Sequence, residues 1–162
     1  MAIAEGDRLP ATTFFTMTEN GPAPVDSVAF FARRRVVLFS SPGAFTPTDT
    51  YRQLPNFITR AAEFRAKGID EIACTAVNDA FVMGAWARLL RAEGHLTMLA
   101  DSQGRFAGAL GLDRDIENYA LGRRGYRFSM IVADGVVEAL NVDHGLRDHA
   151  RSSAAFMLRQ LQ

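Results

Sequence analysis

The sequence predicts an α/β protein with a central mixed β-sheet flanked by helices. Three observations carry that prediction. Short apolar, β-rich runs stand at 36–40, 71–77 and 96–100, and the segments between them have helical spacing. Two further runs, 126–132 and 136–142, flank Asp134-Gly135, a strong hairpin dipeptide. The length is 162 residues with 48% apolar residues, one domain's worth of chain, able to bury roughly 70% of its unfolded surface.

The elements follow in order. The stretch Glu19-Asn20-Gly21-Pro22-Ala23-Pro24 reads as a surface loop. Val36 opens the first strand after Arg33-Arg34-Arg35, and Ser41-Pro42-Gly43 breaks it. Tyr51, Leu54, Phe57, Ile58, Ala61 and Phe64 then recur at helical spacing, with Gly68 as the C-cap. Pro55 lies inside that helix and should kink it. The run EIACTAV at 71–77 is the second strand. Asp79 can cap a helix whose apolar pairs are Phe81/Val82, Ala85/Trp86 and Leu89/Leu90. A third strand at 96–100 and a short helix at 104–110 come next. The hairpin and a terminal helix at 152–161 close the chain.

The order is βαβαβα, then a hairpin, then α. Strands joined by helices should be parallel, with right-handed crossovers, and the hairpin must add an antiparallel strand. This order matches a thioredoxin-like α/β sandwich. In such sheets sites form beyond the C-terminal ends of the parallel strands. Segment 41–49 leaves the first strand there, and Asn78-Asp79 leaves the second. An antiparallel strand beginning at Tyr126 starts at the same end. Pro42, Thr46, Asp49 and Arg127 can therefore converge on one pocket.

Composition excludes several classes. Lys plus Arg is 18 and Asp plus Glu is 18, so the formal net charge is zero and a nucleic-acid partner is not expected. Arg123-Arg124 reads as a solvated loop cluster, with Arg124 able to lie near the site. No run of 18 apolar residues is present, so no membrane span is expected. Residues 1–10 lack an apolar signal core, which points to a cytoplasmic protein. The one cysteine, Cys74, cannot form an intramolecular disulfide and lies inside an apolar strand, where a free thiol is usually inert. His95, His144 and His149 fit no metal-ligand spacing, so no metal is expected.

The segment Pro42-Gly43-Ala44-Phe45-Thr46-Pro47-Thr48 resembles the active-site loop of peroxiredoxins, whose pattern is Pro-x-x-x-Thr-x-x-Cys. Gly6-Asp7-Arg8-Leu9-Pro10 is similar to the family's N-terminal segment. Asp70 to Cys74, Val77-Asn78-Asp79-Ala80-Phe81-Val82-Met83, Ala85-Trp86, Leu99-Ala100-Asp101 and Leu110-Gly111-Leu112 resemble the type-five subfamily. So do Arg127-Phe128-Ser129-Met130-Ile131-Val132 and Asp134-Gly135-Val136-Val137. The likeness runs from about residue 4 to 142. It implies a peroxidatic cysteine three residues after Thr46, where this chain has Asp49. It also implies that Thr46 and Arg127 orient a peroxide, and that the loop around Phe45 and Phe81 lines a homodimer contact. No cofactor is implied, only an external thiol such as glutathione or thioredoxin.

The family's chemistry requires a thiolate at the first helical turn, stabilised by the helix dipole and an arginine, which attacks a peroxide oxygen and becomes a sulfenic acid. Asp49 keeps the negative charge but has no sulfenic chemistry. One expectation is therefore a peroxidase-inactive pseudo-enzyme, its carboxylate resembling the sulfinate of an over-oxidised cysteine. A second is a Cys→Asp variant of a genuine thiol peroxidase that reduces hydrogen peroxide and organic hydroperoxides. Thr50 and Gln53 also depart from the family's Ser and His, which favours natural loss over a designed change. A third is a carboxylate-dependent enzyme or small-molecule binder using Asp49 and Arg127.

Overall fold

The structure is a computed structural model that describes residues 1–161. Nine strands form two sheets. They are β1 (Thr13–Thr18), β2 (Gly21–Asp26), β3 (Arg35–Ser40), β4 (Glu71–Ala76), β5 (Thr97–Ala100), β6 (Asp113–Ile116), β7 (Gly122–Gly125), β8 (Arg127–Ala133) and β9 (Val136–Asp143). The helices are α1 (Ser27–Phe31), α2 (Leu54–Thr59), α3 (Ala61–Ala66), α4 (Ala80–Leu90), α5 (Arg105–Leu110) and α6 (Ala154–Gln160). The main sheet has the order β2-β1-β5-β4-β3-β8-β9. The β3–β4 and β4–β5 pairs are parallel, and β8 runs antiparallel to β3. This is a thioredoxin-like fold with a mixed sheet.

The central strands β3, β4, β5 and β8 read as largely apolar runs because both faces of the sheet are covered there. Val37 and Phe39 of β3 point to one side, into a core with Leu54, Phe57, Phe64, Trp86 and Met157. Phe39 and Phe57 stack with ring centroids 3.9 Å apart. Val36 and Leu38 point to the other side, among Phe31, Phe106 and Leu110. The β8–β9 turn has left-handed backbone at Asp134 (φ 48°) and Gly135 (φ 79°), as a two-residue primed turn demands.

Four sequence expectations are corrected. Residues 19–24 are not a loop throughout, since Gly21 opens β2, which pairs with β1 along the sheet edge. Pro22 and Pro24 alternate on that strand, so their missing N–H groups fall on the side away from β1. The helix after β3 is not one helix kinked at Pro55. Residues 49–53 form a wide π turn, closed by the Leu54 N–H on the Asp49 carbonyl, and the chain then breaks at Arg60 (φ −101°, ψ 11°). The stripe on α4 is rotated: Ala80, Met83, Trp86 and Ala87 are buried, while Phe81 and Leu89 are exposed. Asp79 does cap α4, accepting from the Val82 N–H at 2.8 Å. Finally, Arg123 and Arg124 lie on β7, paired with β6, rather than in a loop. Arg124 is half-buried and donates to the Leu121 and Val77 carbonyls at 2.9 and 3.0 Å.

Candidate active site

The loop after β3 is built by its own short-range hydrogen bonds. The Ser41 hydroxyl donates to the Gly43 carbonyl at 2.9 Å and accepts the Gly43 N–H at 3.1 Å. The Ala44 N–H donates to the Asn78 side chain at 2.9 Å, which ties the loop to the end of β4. Gly43 is closely approached by the Arg124 guanidinium: a Cβ there would lie 3.1 Å from Nη1. Phe45 takes a left-handed backbone (φ 67°), and this turns the chain into a helical run that begins at Pro47. The Thr50 N–H donates to the Thr46 carbonyl at 2.9 Å, so Thr46 stands at the helix entrance.

Asp49 lies in the first turn of that run, and its side chain is fully buried. Arg127, at the start of β8, is 1% exposed and meets it as a fork. Its Nε donates to Asp49 Oδ1 at 2.8 Å and its Nη2 to Oδ2 at 2.8 Å. This is the bidentate geometry that makes charge-assisted bonds strong and directional. The Thr46 hydroxyl sits 2.5 Å from Asp49 Oδ2 and 2.7 Å from the Gly43 carbonyl. Arg127 Nη1 donates to the carbonyls of Leu146 and Asp148 at 2.9 and 2.6 Å. One buried guanidinium thus joins the helix start to a segment some twenty residues downstream of it.

A cavity of about 810 Å³ opens beside this pair, lined in part by Phe45, Thr46, Tyr51, Tyr119, Arg127 and Arg147. Pro42 is buried within the loop and does not line it. Phe45 and Phe81 are 47% and 66% exposed. Cys74 lies in the core on β4. Burial, and secondarily the Asp49 charge, push its thiol pKa well above the ordinary range. His144 packs edge-on against Tyr126 at 5.4 Å.

The Redoxin family profile matches residues 4–158. Peroxiredoxin-2B of Arabidopsis thaliana is 39% identical over 160 residues, covering 98% of both chains. The structure of reduced Prx3 from Vibrio vulnificus in complex with H2O2 superposes with a TM-score of 0.94 at 42% identity, covering 99% of each chain. Peroxiredoxin 5 from Alvinella pompejana superposes at 0.85 with 28% identity, covering 98% of this chain and 97% of that one. The chain belongs to the peroxiredoxin family.

Within this peroxiredoxin-family chain, the sequence reading singled out Thr46, Asp49 and Arg127, and all three meet within hydrogen-bond distance. It did not find the carbonyls of Leu146 and Asp148, because a backbone acceptor carries no side-chain signal. It also missed Asn78 as the anchor of Ala44, although Asn directly after a strand was a usable cue. No helix among the described residues is long and apolar enough to cross a membrane.

Proposed function

We propose that this chain is a peroxiredoxin of the type-five branch whose peroxidatic position holds Asp49, and that it does not turn over peroxide. The observation that carries the reading is the buried fork between Asp49 and Arg127. In the family's chemistry the arginine and threonine face a thiolate and a peroxide. Here the Asp49 carboxylate takes two of Arg127's donors, and backbone carbonyls take Nη1. A carboxylate oxygen is a poor nucleophile toward a peroxide oxygen and forms no sulfenic acid. The carboxylate occupies the place of a sulfinate, the end state of an over-oxidised thiol. The same fork argues against Asp49 as a free general base, because both oxygens are already accepting.

The test is peroxide consumption with glutathione or a thioredoxin system as reductant. The expected rate equals the uncatalysed one, and turnover well above it overturns the reading. Asp49→Cys is expected to gain reduction of hydrogen peroxide and organic hydroperoxides, since Thr46 and Arg127 remain in place. We also place a homodimer contact at the exposed Phe45 and Phe81. Sedimentation of Phe81→Glu is expected to show a shift toward monomer, and an unchanged mass would remove that contact.

A further inference from the structure

A second cavity lies at the other end of the sheet from Asp49. Its volume is about 580 Å³, and its walls are β1, the later turns of α4 and the start of β5. β3, β4 and β5 run parallel, and Asp49 follows the C-terminal end of β3, so the N-terminal end of β5 is remote from it. Neither the peroxide reading nor the homodimer contact uses this place.

The cavity follows from an interrupted ladder. β1 pairs with β2 at all six of its positions but with β5 at one, Phe15 with Ala100. Beyond that pair, Met17 and Thr18 stand beside Thr97 and Met98 with no register partner between them. Backbone groups on such facing edges are met by water or by a ligand. The helix α4 spans the gap. Gly84 is pressed onto β1, where a Cβ would lie 2.8 Å from Met17 Cβ. Gly84 and Ala87 make a floor of small residues, and the thioethers of Met17 and Met98 stand beside it. Thioethers are polarisable and adapt to a flat ring. The volume is within the ordinary range for a small organic ligand.

The charges at the mouth are unequal. Glu19, Glu93 and Arg88 line it. Arg88 and Glu93 are 4.0 Å apart and largely exposed, a pairing that holds neither side chain firmly. Glu19 has no basic partner within 4.0 Å among the described residues. An excess of negative charge therefore stands over an apolar, thioether-lined floor.

We propose that this cavity binds a small aromatic amine in its ammonium form, its ring against Met17 and Met98 and its cationic head toward Glu19 and Glu93. A neutral ring gains only the apolar contact, and an anion meets the unbalanced carboxylate. The binding needs no chemistry at residue 49 and does not rest on whether peroxide is turned over.

The experiment is isothermal titration of the intact protein at neutral pH with tryptamine, and separately with neutral tryptophol and anionic indole-3-acetate. Saturable 1:1 binding of tryptamine is expected, with tryptophol about tenfold weaker and indole-3-acetate weaker still. Glu19→Gln and Glu93→Gln should each weaken tryptamine by about threefold, and together by about tenfold. Both side chains are exposed, so the variants are expected to melt with the parent, which separates lost contact from lost fold. Added salt should weaken tryptamine and leave tryptophol unchanged. In amide spectra of the intact protein, tryptamine should move the signals of 16–19 and 96–98 and leave those of 44–52 in place. Absence of saturation by ~5 mM tryptamine overturns the proposal. So does equal binding of tryptophol or indole-3-acetate, undiminished binding in the double variant, or a set of shifts centred on 44–52.

Discussion

Two carboxylates are buried on either side of Arg127, and they are satisfied in opposite ways. Asp49 meets the guanidinium face to face. Asp143 is the cross-strand partner of Arg127 in the β8–β9 register, so the two side chains leave the same face of the sheet. Asp143 nevertheless turns away. It accepts from the Arg151 N–H at 3.2 Å, the Ser152 N–H at 2.8 Å and the Ser152 hydroxyl at 2.6 Å. Ser152 is fully buried, so its N–H and hydroxyl have no water to fall back on. The neighbour in the ladder is thus a structural anchor for the C-terminal segment, and the residue distant in sequence takes the charge. Proximity on a strand does not decide pairing; the direction in which each donor can reach does.

The contrast predicts unequal losses. Arg127→Ala leaves the Asp49 carboxylate buried without a counter-ion, and should cost about 3–5 kcal/mol in urea unfolding. Amides over 146–152 should also exchange faster, because two carbonyls lose their donor. If Arg127→Ala costs no more than a surface substitution, the fork is not what holds the site together. Asp143→Ala strands neutral donors only, and should cost about 1–3 kcal/mol by the same measurement. Equal losses would erase the distinction between the two carboxylates.

A third buried carboxylate sharpens the comparison through pH. Asp101 has only backbone donors, from Phe106 and Ala107 at 3.1 and 3.0 Å. Burial raises its pKa, and those amide bonds only partly offset the rise. The folded protein therefore holds its proton to higher pH than the unfolded chain does. The stability contributed by Asp101 is full in acid and is lost as pH rises from about 4 through the raised folded value. Asp101→Asn cannot ionise, so it should gain on the parent as pH rises from about 4 to 7. Urea melts across that range check the sign, and a difference that does not change with pH refutes it. The smallest effect is expected at Cys74. Its raised thiol pKa and full burial should keep native protein unlabelled by a thiol reagent, with labelling following global unfolding.

Legibility in the sequence followed apolar burial. β3, β4, β5 and β8 were readable because both faces are covered and most of their residues are apolar. β9 was readable from its turn, and α4 from its Asp79 cap. β2 was hidden by two prolines, which are tolerated only because nothing pairs on its outer side. β6 and β7, DRDI and GRRG, were hidden by charge; the small sheet they form is held by Ile116, the Asp113–Arg123 ion pair at 3.0 Å and backbone pairing. The break at Arg60 has no Pro or Gly to announce it. At the site, the convergence of Thr46, Asp49 and Arg127 was legible from where the strands end, although Arg127 lies 78 residues from Asp49, and their roles came from the family likeness.

The prolines of β2 have a consequence for how copies of this chain can meet. An open sheet edge offers a ladder on which another strand can grow, and that route leads to fibres and swapped dimers. With Pro22 and Pro24 turned outward, the β2 edge lacks alternate donors, so such growth is interrupted at the start. On that side of the molecule, self-association is restricted to side-chain contact across a face, which is reversible and can be tuned by single residues.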